Sequence, residues 1–289
     1  MESSQPITIG ALRRQLRSRL TPKYSEREAS AMARIIIQNL KGWSMEQLLA
    51  SEDTFTASDY LLNRSNEIIT ALLDDVPLQY ALGETQFYGL TLRVGPGVLI
   101  PRPETEELVD LIVKDNGDPD LEVLDLCTGS GAIALALARN LSFPSVAGID
   151  VSQKALKYAR ENAESLKAKV RFDQKDIFTL SLPDESLDIM VSNPPYVDES
   201  EKTDMEPNVL RHEPEEALFV PDEDPLLFYR KISMLAAEAL KPGGRLYFEI
   251  NPRHARELQN LLVADGFTEI NLIKDVHGKE RFISVQKPK

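Results

Sequence analysis

Two hydrophobic rhythms divide this chain. Up to about residue 75 the apolar positions recur at helical spacing: Ile9, Leu12, Leu16 and Leu20 share one face, and Thr21-Pro22 ends that segment. Ser25 and Glu28 then form a capping box ahead of Met32, Ile35, Ile36 and Leu40. A short helix over Ser44–Leu49 and a longer one from Thr56 to Leu73 complete a small all-helical domain, residues 1–75. Pro77 marks a boundary, and Gly89, Gly95, Pro96 and Gly97 among Phe87, Tyr88, Leu90, Leu92 and Val94 predict a β-hairpin in a linker over residues 76–100.

From residue 101 the rhythm becomes strand and helix in alternation. Pro101-Arg102-Pro103 fixes an extended entry, and Glu104 and Glu106 open a helix through Leu108, Leu111 and Ile112; Arg102 and Glu104 stand where they could line a site. After a polar linker over Asn116–Asp120, strands are expected at 122–126, 146–149, 170–172, 187–191 and 245–250, with helices at 133–139, 152–166, 225–240 and 253–264. Segments 268–273 and 281–285 close the chain as an antiparallel edge. Repeated β-α-β units require a mostly parallel sheet covered on both faces, so residues 101–289 read as a Rossmann-like α/β domain.

Length and composition then narrow the field. The chain has 289 residues, 42% of them hydrophobic, enough for a substantial core. Nothing resembles a signal peptide or a bilayer span, which suggests a cytoplasmic protein. One cysteine and three scattered histidines give no disulfide framework and no metal-ligand spacing, so no metal is implied. The net charge of −13 argues against a grip on duplex nucleic acid, which needs a basic face. Arg13, Arg14, Arg17, Arg19, Lys23 and Arg27 nevertheless make the first helices locally basic, a solvated face or a docking surface for an acidic or RNA-bound partner.

The most informative stretch is Asn193-Pro194-Pro195-Tyr196, directly after the apolar run Leu187–Val191. Two prolines forbid continuation of the strand and an immediate helix, so a polar Asn and an aromatic Tyr are held on a stiff turn at a strand's carboxyl end, where open α/β sheets bind ligands. The chemistry this suggests is methylation of a planar nitrogen. Such a nitrogen is a poor nucleophile because its lone pair is delocalised; a site helps by accepting both N–H bonds, here at the Asn193 side-chain oxygen and the Pro194 carbonyl, while the Tyr196 ring packs against the flat group. Positioning and electrostatics then do most of the catalysis.

A cofactor loop is expected at Cys127-Thr128-Gly129-Ser130-Gly131, where the first strand of this domain turns into a helix. Gly129-x-Gly131-x-x-Ala134, with Asp150 after the second strand, satisfies a dinucleotide fingerprint equally well, so the loop alone does not choose a cofactor. The later turns, Asp176-Ile177 and Asn193–Tyr196, favour S-adenosylmethionine, with Asp150 on the ribose, Asp176 and Ile177 at the adenine, and Asn193 next to the methyl. Cys127 reads as a small packing residue of the loop. The strongly acidic stretch 197–224 that follows reads as a long functional loop, a candidate substrate gate suited to a basic polypeptide.

Taken together, Pro77-Leu78-Gln79-Tyr80, Leu99 to Glu106, Asp125 to Gly131, Asn193 to Tyr196, Glu213-Pro214 and Lys274-Asp275 make the whole chain resemble the bacterial peptide chain release factor glutamine methyltransferases. The resemblance implies a class I S-adenosylmethionine-dependent methyltransferase domain behind a helical docking domain. It further implies transfer to the side-chain amide nitrogen of the Gln in the Gly-Gly-Gln loop of class I release factors, a step in translation termination. Carried over by position, Cys127 to Gly131, Asp150 and Ile177 hold the methyl donor, and Asn193, Pro194, Pro195 and Tyr196 hold the substrate glutamine. The chain departs from the family's pattern at Cys127, where glycine is usual, and at Asn251 and His254, where glycine and glutamine are usual. Rival readings are a methyltransferase for a ribosomal-protein glutamine or for an exocyclic amine of a nucleic-acid base, and a non-catalytic module that keeps a nucleotide fold.

Overall fold

A computed structural model describes residues 6–289. The polar start of the chain, read above as carrying no signal peptide, lies outside the described residues as far as Gln5. The chain divides into two compact units, one running to Gly83 and taking in Pro207–His212, the other comprising Glu84–Glu206 and Glu213–Lys289. Among the described residues no helix is long and apolar enough to cross a membrane.

The first unit is helical: α1 (Ile9–Leu20), α2 (Glu26–Lys41), α3 (Met45–Ser51), α4 (Asp59–Leu73) and α5 (Leu78–Leu82). Its core holds the expected α1 stripe, Ile9, Leu12, Leu16 and Leu20, packed against Ile36, Ile37, Leu61 and Ile68; in α2 the buried face takes Ile37, and Ile35, expected on it, is exposed. Ser25 and Glu28 complete the capping box of α2 reciprocally, each accepting from the other's backbone N–H. The fourth helix begins at Asp59 and not at Thr56, because Ser58 supplies its N-cap through the Leu61 N–H. Pro77 does not break the chain into an extended linker; it stands at the N-cap of α5. The Pro207–His212 helix joins this unit, with Arg211 paired to Asp75 at 2.5 Å.

The second unit opens with the hairpin β1 (Glu84–Phe87) and β2 (Leu90–Arg93), then α6 (Pro103–Asp115), β3 (Glu122–Leu126), α7 (Ala132–Asn140), β4 (Ser145–Asp150), α8 (Gln153–Leu166), β5 (Val170–Gln174) and β6 (Leu187–Ser192). It continues through β7 (Val197–Asp198), α9 (Pro207–His212, the part that belongs to the helical unit), β8 (Phe219–Val220), α10 (Leu227–Ala239), β9 (Leu240–Glu249), α11 (Ala255–Ala264), β10 (Thr268–Lys274) and β11 (Glu280–Gln286). Among the described residues the main sheet has seven strands in the order β10-β11-β9-β6-β3-β4-β5, parallel from β9 to β5 and closed by an antiparallel β11 and β10 edge.

Successive side chains on a strand point to opposite faces, and here both faces are covered. Val123, Ile189, Val191 and Tyr247 pack with Leu108, Ile112 and Leu137 on one side; Leu124, Met190, Leu246 and Phe248 pack with Tyr229, Ile232 and Leu258 on the other. That two-sided burial is why the strands read as continuous apolar runs. From β3 the chain winds one way through β4 to β5, then returns to place β6 on the other side of β3. The carboxyl ends of β3, β4 and β6 therefore border a topological switch point, where this class of sheet binds ligands.

The acidic stretch after β6, read above as one long functional loop, carries short elements of its own. Val197 and Asp198 pair in parallel with Phe219 and Val220, and short 3-10 helices occupy Glu199–Asp204 and Glu215–Ala217. Its structure comes from partners far away in sequence: the buried Glu213 carboxylate accepts the Ile100 N–H at 3.0 Å and pairs with Arg102 at 2.8 Å.

Candidate active site

The switch-point loops enclose a cavity of about 310 Å³. Of the expected cofactor residues, Cys127, Thr128, Gly129, Ser130, Asp150, Asp176 and Ile177 line it, as do Asn193 and Pro195 of the Asn-Pro-Pro-Tyr turn. Gly131 does not reach the wall. It caps α7 with φ +80°, and a Cβ there would come within 2.8 Å of the Phe172 ring, so its smallness serves helix-to-sheet packing. Gly129 is the opposite case: φ is +57° and a Cβ would meet only Val98, at 4.0 Å, which leaves its backbone open to a ligand.

Asp150, at the end of β4, accepts the Gly129 N–H at 2.8 Å and the Ser152 N–H at 2.8 Å, one on each oxygen. Each carboxylate oxygen keeps a further lone pair, the donor-poor edge that a pair of ribose hydroxyls needs. Burial raises this carboxyl above its ordinary range. Asp176 accepts the Phe178 N–H at 2.9 Å, so it shapes its own turn while bordering the cavity. Beneath the loop lies Asp125, fully buried, with one oxygen accepting from Thr128 at 2.5 Å and Ala134 N–H at 3.2 Å and the other oxygen without a partner. Burial without full compensation pushes its pKa up to about 7.

The Asn-Pro-Pro-Tyr turn is pinned from several directions. Ser192 donates to the Leu126 carbonyl at 2.7 Å, tying β6 to β3 just before the turn. Pro194 is buried and, like Tyr196, is not part of the cavity wall. The Tyr196 ring packs among the residues of the second core face, and its hydroxyl donates to Glu249 at 2.9 Å. Burial and the adjacent Glu249 carboxylate hold that phenol well above its usual pKa, so it remains a donor. Glu249 itself is 1% exposed; its other oxygen receives the Thr105 hydroxyl at 2.7 Å, and Thr105 accepts from Asn193 Nδ2 at 3.4 Å. Burial raises the Glu249 pKa, opposed by the two hydrogen bonds and by the charge of Arg281.

Thr105 and Glu249 were not singled out by sequence as a unit. The signal was partial: the Pro101-Arg102-Pro103 entry pointed to this corner through Arg102 and Glu104, and Arg102 does line the cavity, whereas Glu104 does not. Thr105, one residue on, lines it too.

Against known proteins, the methyltransferase domain family matches residues 117–282. A release factor glutamine methyltransferase of Bacteroides thetaiotaomicron is 44% identical over 273 residues, spanning 94% of this chain and 98% of the relative. The chain belongs to the release factor glutamine methyltransferase family. A second member, from Flavobacterium psychrophilum, is 42% identical over 96% of this chain and 99% of its own length. A solved methyltransferase from Pyrococcus furiosus shares the fold, with a TM-score of 0.53 at 18% identity, covering 78% of this chain and 99% of that one.

Set in this family, the departures have local causes. Cys127 has φ +60°, a left-handed conformation that glycine takes freely and a cysteine holds at a cost of about 1 kcal/mol. Asn251 donates to the Tyr196 carbonyl at 3.1 Å and to Glu201 at 2.7 Å, while His254 meets the Asp198 carboxylate at 2.9 Å and Glu257 at 3.0 Å. Asn251 and His254 thus hold the segment that leaves the Asn-Pro-Pro-Tyr turn. S-adenosylmethionine fits the residues present: an open glycine backbone at Gly129, an acidic strand end at Asp150, and an apolar flank of Ile177 and Phe228.

Proposed function

We propose that this enzyme transfers a methyl group from S-adenosyl-L-methionine to the side-chain amide nitrogen (N5) of the glutamine in the Gly-Gly-Gln motif of class I peptide chain release factors. The observation that carries the reading is the placement of Asn193 on the wall of the same cavity as Asp150 and the Cys127–Ser130 loop, in a chain of this family. Asp150 holds the ribose, Ile177 and Asp176 border the adenine, and the Cys127–Ser130 backbone receives the rest of the cofactor. When bound, S-adenosylmethionine would supply an electrophilic methyl and depart as a neutral thioether, and the proton displaced from the amide nitrogen would pass to bulk water. Asn193 Oδ1 accepts one of the substrate's amide N–H bonds and helps hold the nitrogen in line, a contribution of position and fixed dipoles; the second acceptor expected from the sequence, the Pro194 carbonyl, belongs to a residue set off the cavity wall.

The names of the relatives support this substrate over a ribosomal-protein glutamine, and the net charge of −13 weighs against a nucleic-acid base. Class I release factors as partners make the cytoplasm the place of action. The test is methyl transfer from labelled S-adenosylmethionine to a purified class I release factor and to its Gly-Gly-Ala variant, with mass spectrometry of the labelled peptide. Label on the motif glutamine in the first and none in the second is the expected result. Label in both, or in neither, overturns the assignment.

A further inference from the structure

An asparagine amide is nearly symmetric in shape, yet only its oxygen can accept from a substrate N–H. A cavity that needs an acceptor at Asn193 must therefore exclude the flipped amide, which would present a donor to a donor. The two prolines after Asn193 fix backbone and leave this side-chain torsion free. Something outside the turn has to choose.

The hydrogen-bond chain behind Asn193 makes that choice. Each carboxylate oxygen of Glu249 receives a hydroxyl, Tyr196 Oη at 2.9 Å on one and Thr105 Oγ1 at 2.7 Å on the other. Arg281 lies close enough to favour the ionised carboxylate, and Thr105 sits in the first turn of α6, whose amino-terminal polarity acts in the same sense. The single Thr105 proton is thus committed to Glu249, and its oxygen can only accept. The group that meets it at 3.4 Å is accordingly Asn193 Nδ2, which leaves Oδ1 as the end available to the cavity. That separation is long for a ground-state bond, as is common before substrate arrives.

We propose that Thr105 and Glu249 are a positioning dyad that fixes the orientation of the Asn193 amide, so that its oxygen faces the substrate nitrogen. The dyad rests on the reading of Asn193 as the substrate acceptor given above. It also ties the far end of the same turn, since the Tyr196 hydroxyl hangs from the other oxygen of that carboxylate. Thr105 acts through Asn193 and Glu249 acts through Thr105.

The test is a double-mutant cycle on the full chain, read as kcat and as KM for S-adenosylmethionine with a class I release factor as acceptor. Thr105→Val keeps the shape and removes the hydroxyl; its kcat is expected to fall by about tenfold or more with the cofactor KM within about twofold, as misplacement in a catalytic site does. Thr105→Ser, which keeps the hydroxyl, is expected to recover most of that rate. In an Asn193→Ala background Thr105→Val should change kcat by less than about twofold, because the group it orients is gone. Multiplication of the two losses, or a native kcat in Thr105→Val beside a slow Asn193→Ala, overturns the dyad alone. A native rate in Asn193→Ala overturns the acceptor reading and the dyad with it. Retained cofactor binding in each variant, measured by calorimetry, shows that the fold is intact.

Discussion

Replacing Asp125 by asparagine should flatten the pH dependence of stability, and the structure gives the size of the effect. The carboxyl is 0% exposed, one of its oxygens lacks a partner, and its pKa rises from 3.8 to about 7 on folding. A raised folded pKa means that the folded chain keeps a proton which the unfolded chain has released. The contribution to stability is then fully present below 3.8 and is lost as pH rises through about 7. At about 1.4 kcal/mol per pH unit the whole loss is about 4 kcal/mol, of which about 2 to 3 kcal/mol falls between pH 5 and pH 8. Asp125→Asn cannot ionise, keeps an oxygen for Thr128 and Ala134, and carries a constant offset of about 1 to 3 kcal/mol for its unpaired amide hydrogens. Urea unfolding of both proteins at pH 5, 6, 7 and 8 separates the two contributions. The variant should be the less stable at pH 5 and gain steadily on the native protein up to pH 8. A gap between the two curves that stays constant within about 0.5 kcal/mol would refute the reasoning, since it would mean that Asp125 carries the same charge in both states across that range.

Other expectations are simpler to check. The Cys127 thiol, pushed above its ordinary pKa by burial and by the neighbouring Asp150, should react with a disulfide reagent at pH 8 at least about tenfold more slowly than in the urea-unfolded chain; equal rates would remove the claim that the thiol is inert. Asp150→Ala should weaken S-adenosylmethionine binding by about tenfold or more in calorimetry, by analogy with the loss of a charged hydrogen-bond partner, while the far-ultraviolet circular dichroism stays native; an unchanged Kd would take Asp150 out of the cofactor site. For His254, burial opposes the charged ring but the bonds to Asp198 and Glu257 outweigh it and raise the pKa. Its contribution should be complete below about pH 6.5 and disappear as pH rises through the raised folded value, so His254→Gln should cost less stability at pH 9 than at pH 6; a cost independent of pH would contradict this.

What the sequence makes legible here is what local chemistry decides. The capping box of α2 needs only Ser25 and Glu28, and the turn after β6 needs only two prolines. The cofactor loop follows from glycines between a strand and a helix, and Asp150 from its place at a strand end. The antiparallel edge follows from two apolar segments too close together for a crossover helix. What stayed hidden depends on residues brought together from a distance. Thr105 and Glu249 are 144 positions apart, Ile100 and Glu213 are 113 apart, and Asp75 and Arg211 are 136 apart. A tract so rich in acidic residues reads as one long loop until the buried Glu213 carboxylate is seen to accept a backbone N–H and to pair with an arginine. Pro77 misled for a related reason: a proline ends a helix in its interior and begins one at its first turn, and only the neighbouring packing tells which.

The buried carboxylate at the end of β9 also bears on why such a site persists. Removing a charge from water costs several kcal/mol unless its oxygens are paired, and well-packed apolar residues of similar volume often match or exceed a buried polar group in stability. Glu249 therefore adds little to the fold that a leucine could not. What an apolar residue cannot do is hold two hydroxyls in a fixed sense, one from α6 and one from the turn after β6. A carboxylate that only accepts imposes a direction on every donor attached to it, and that direction passes through one threonine to the asparagine that faces the cavity. The proline pair gives the turn a rigid backbone, and the distant acid gives its first side chain a unique orientation. Stiffness without that second constraint would leave donor and acceptor interchangeable at the place where the reaction needs an acceptor.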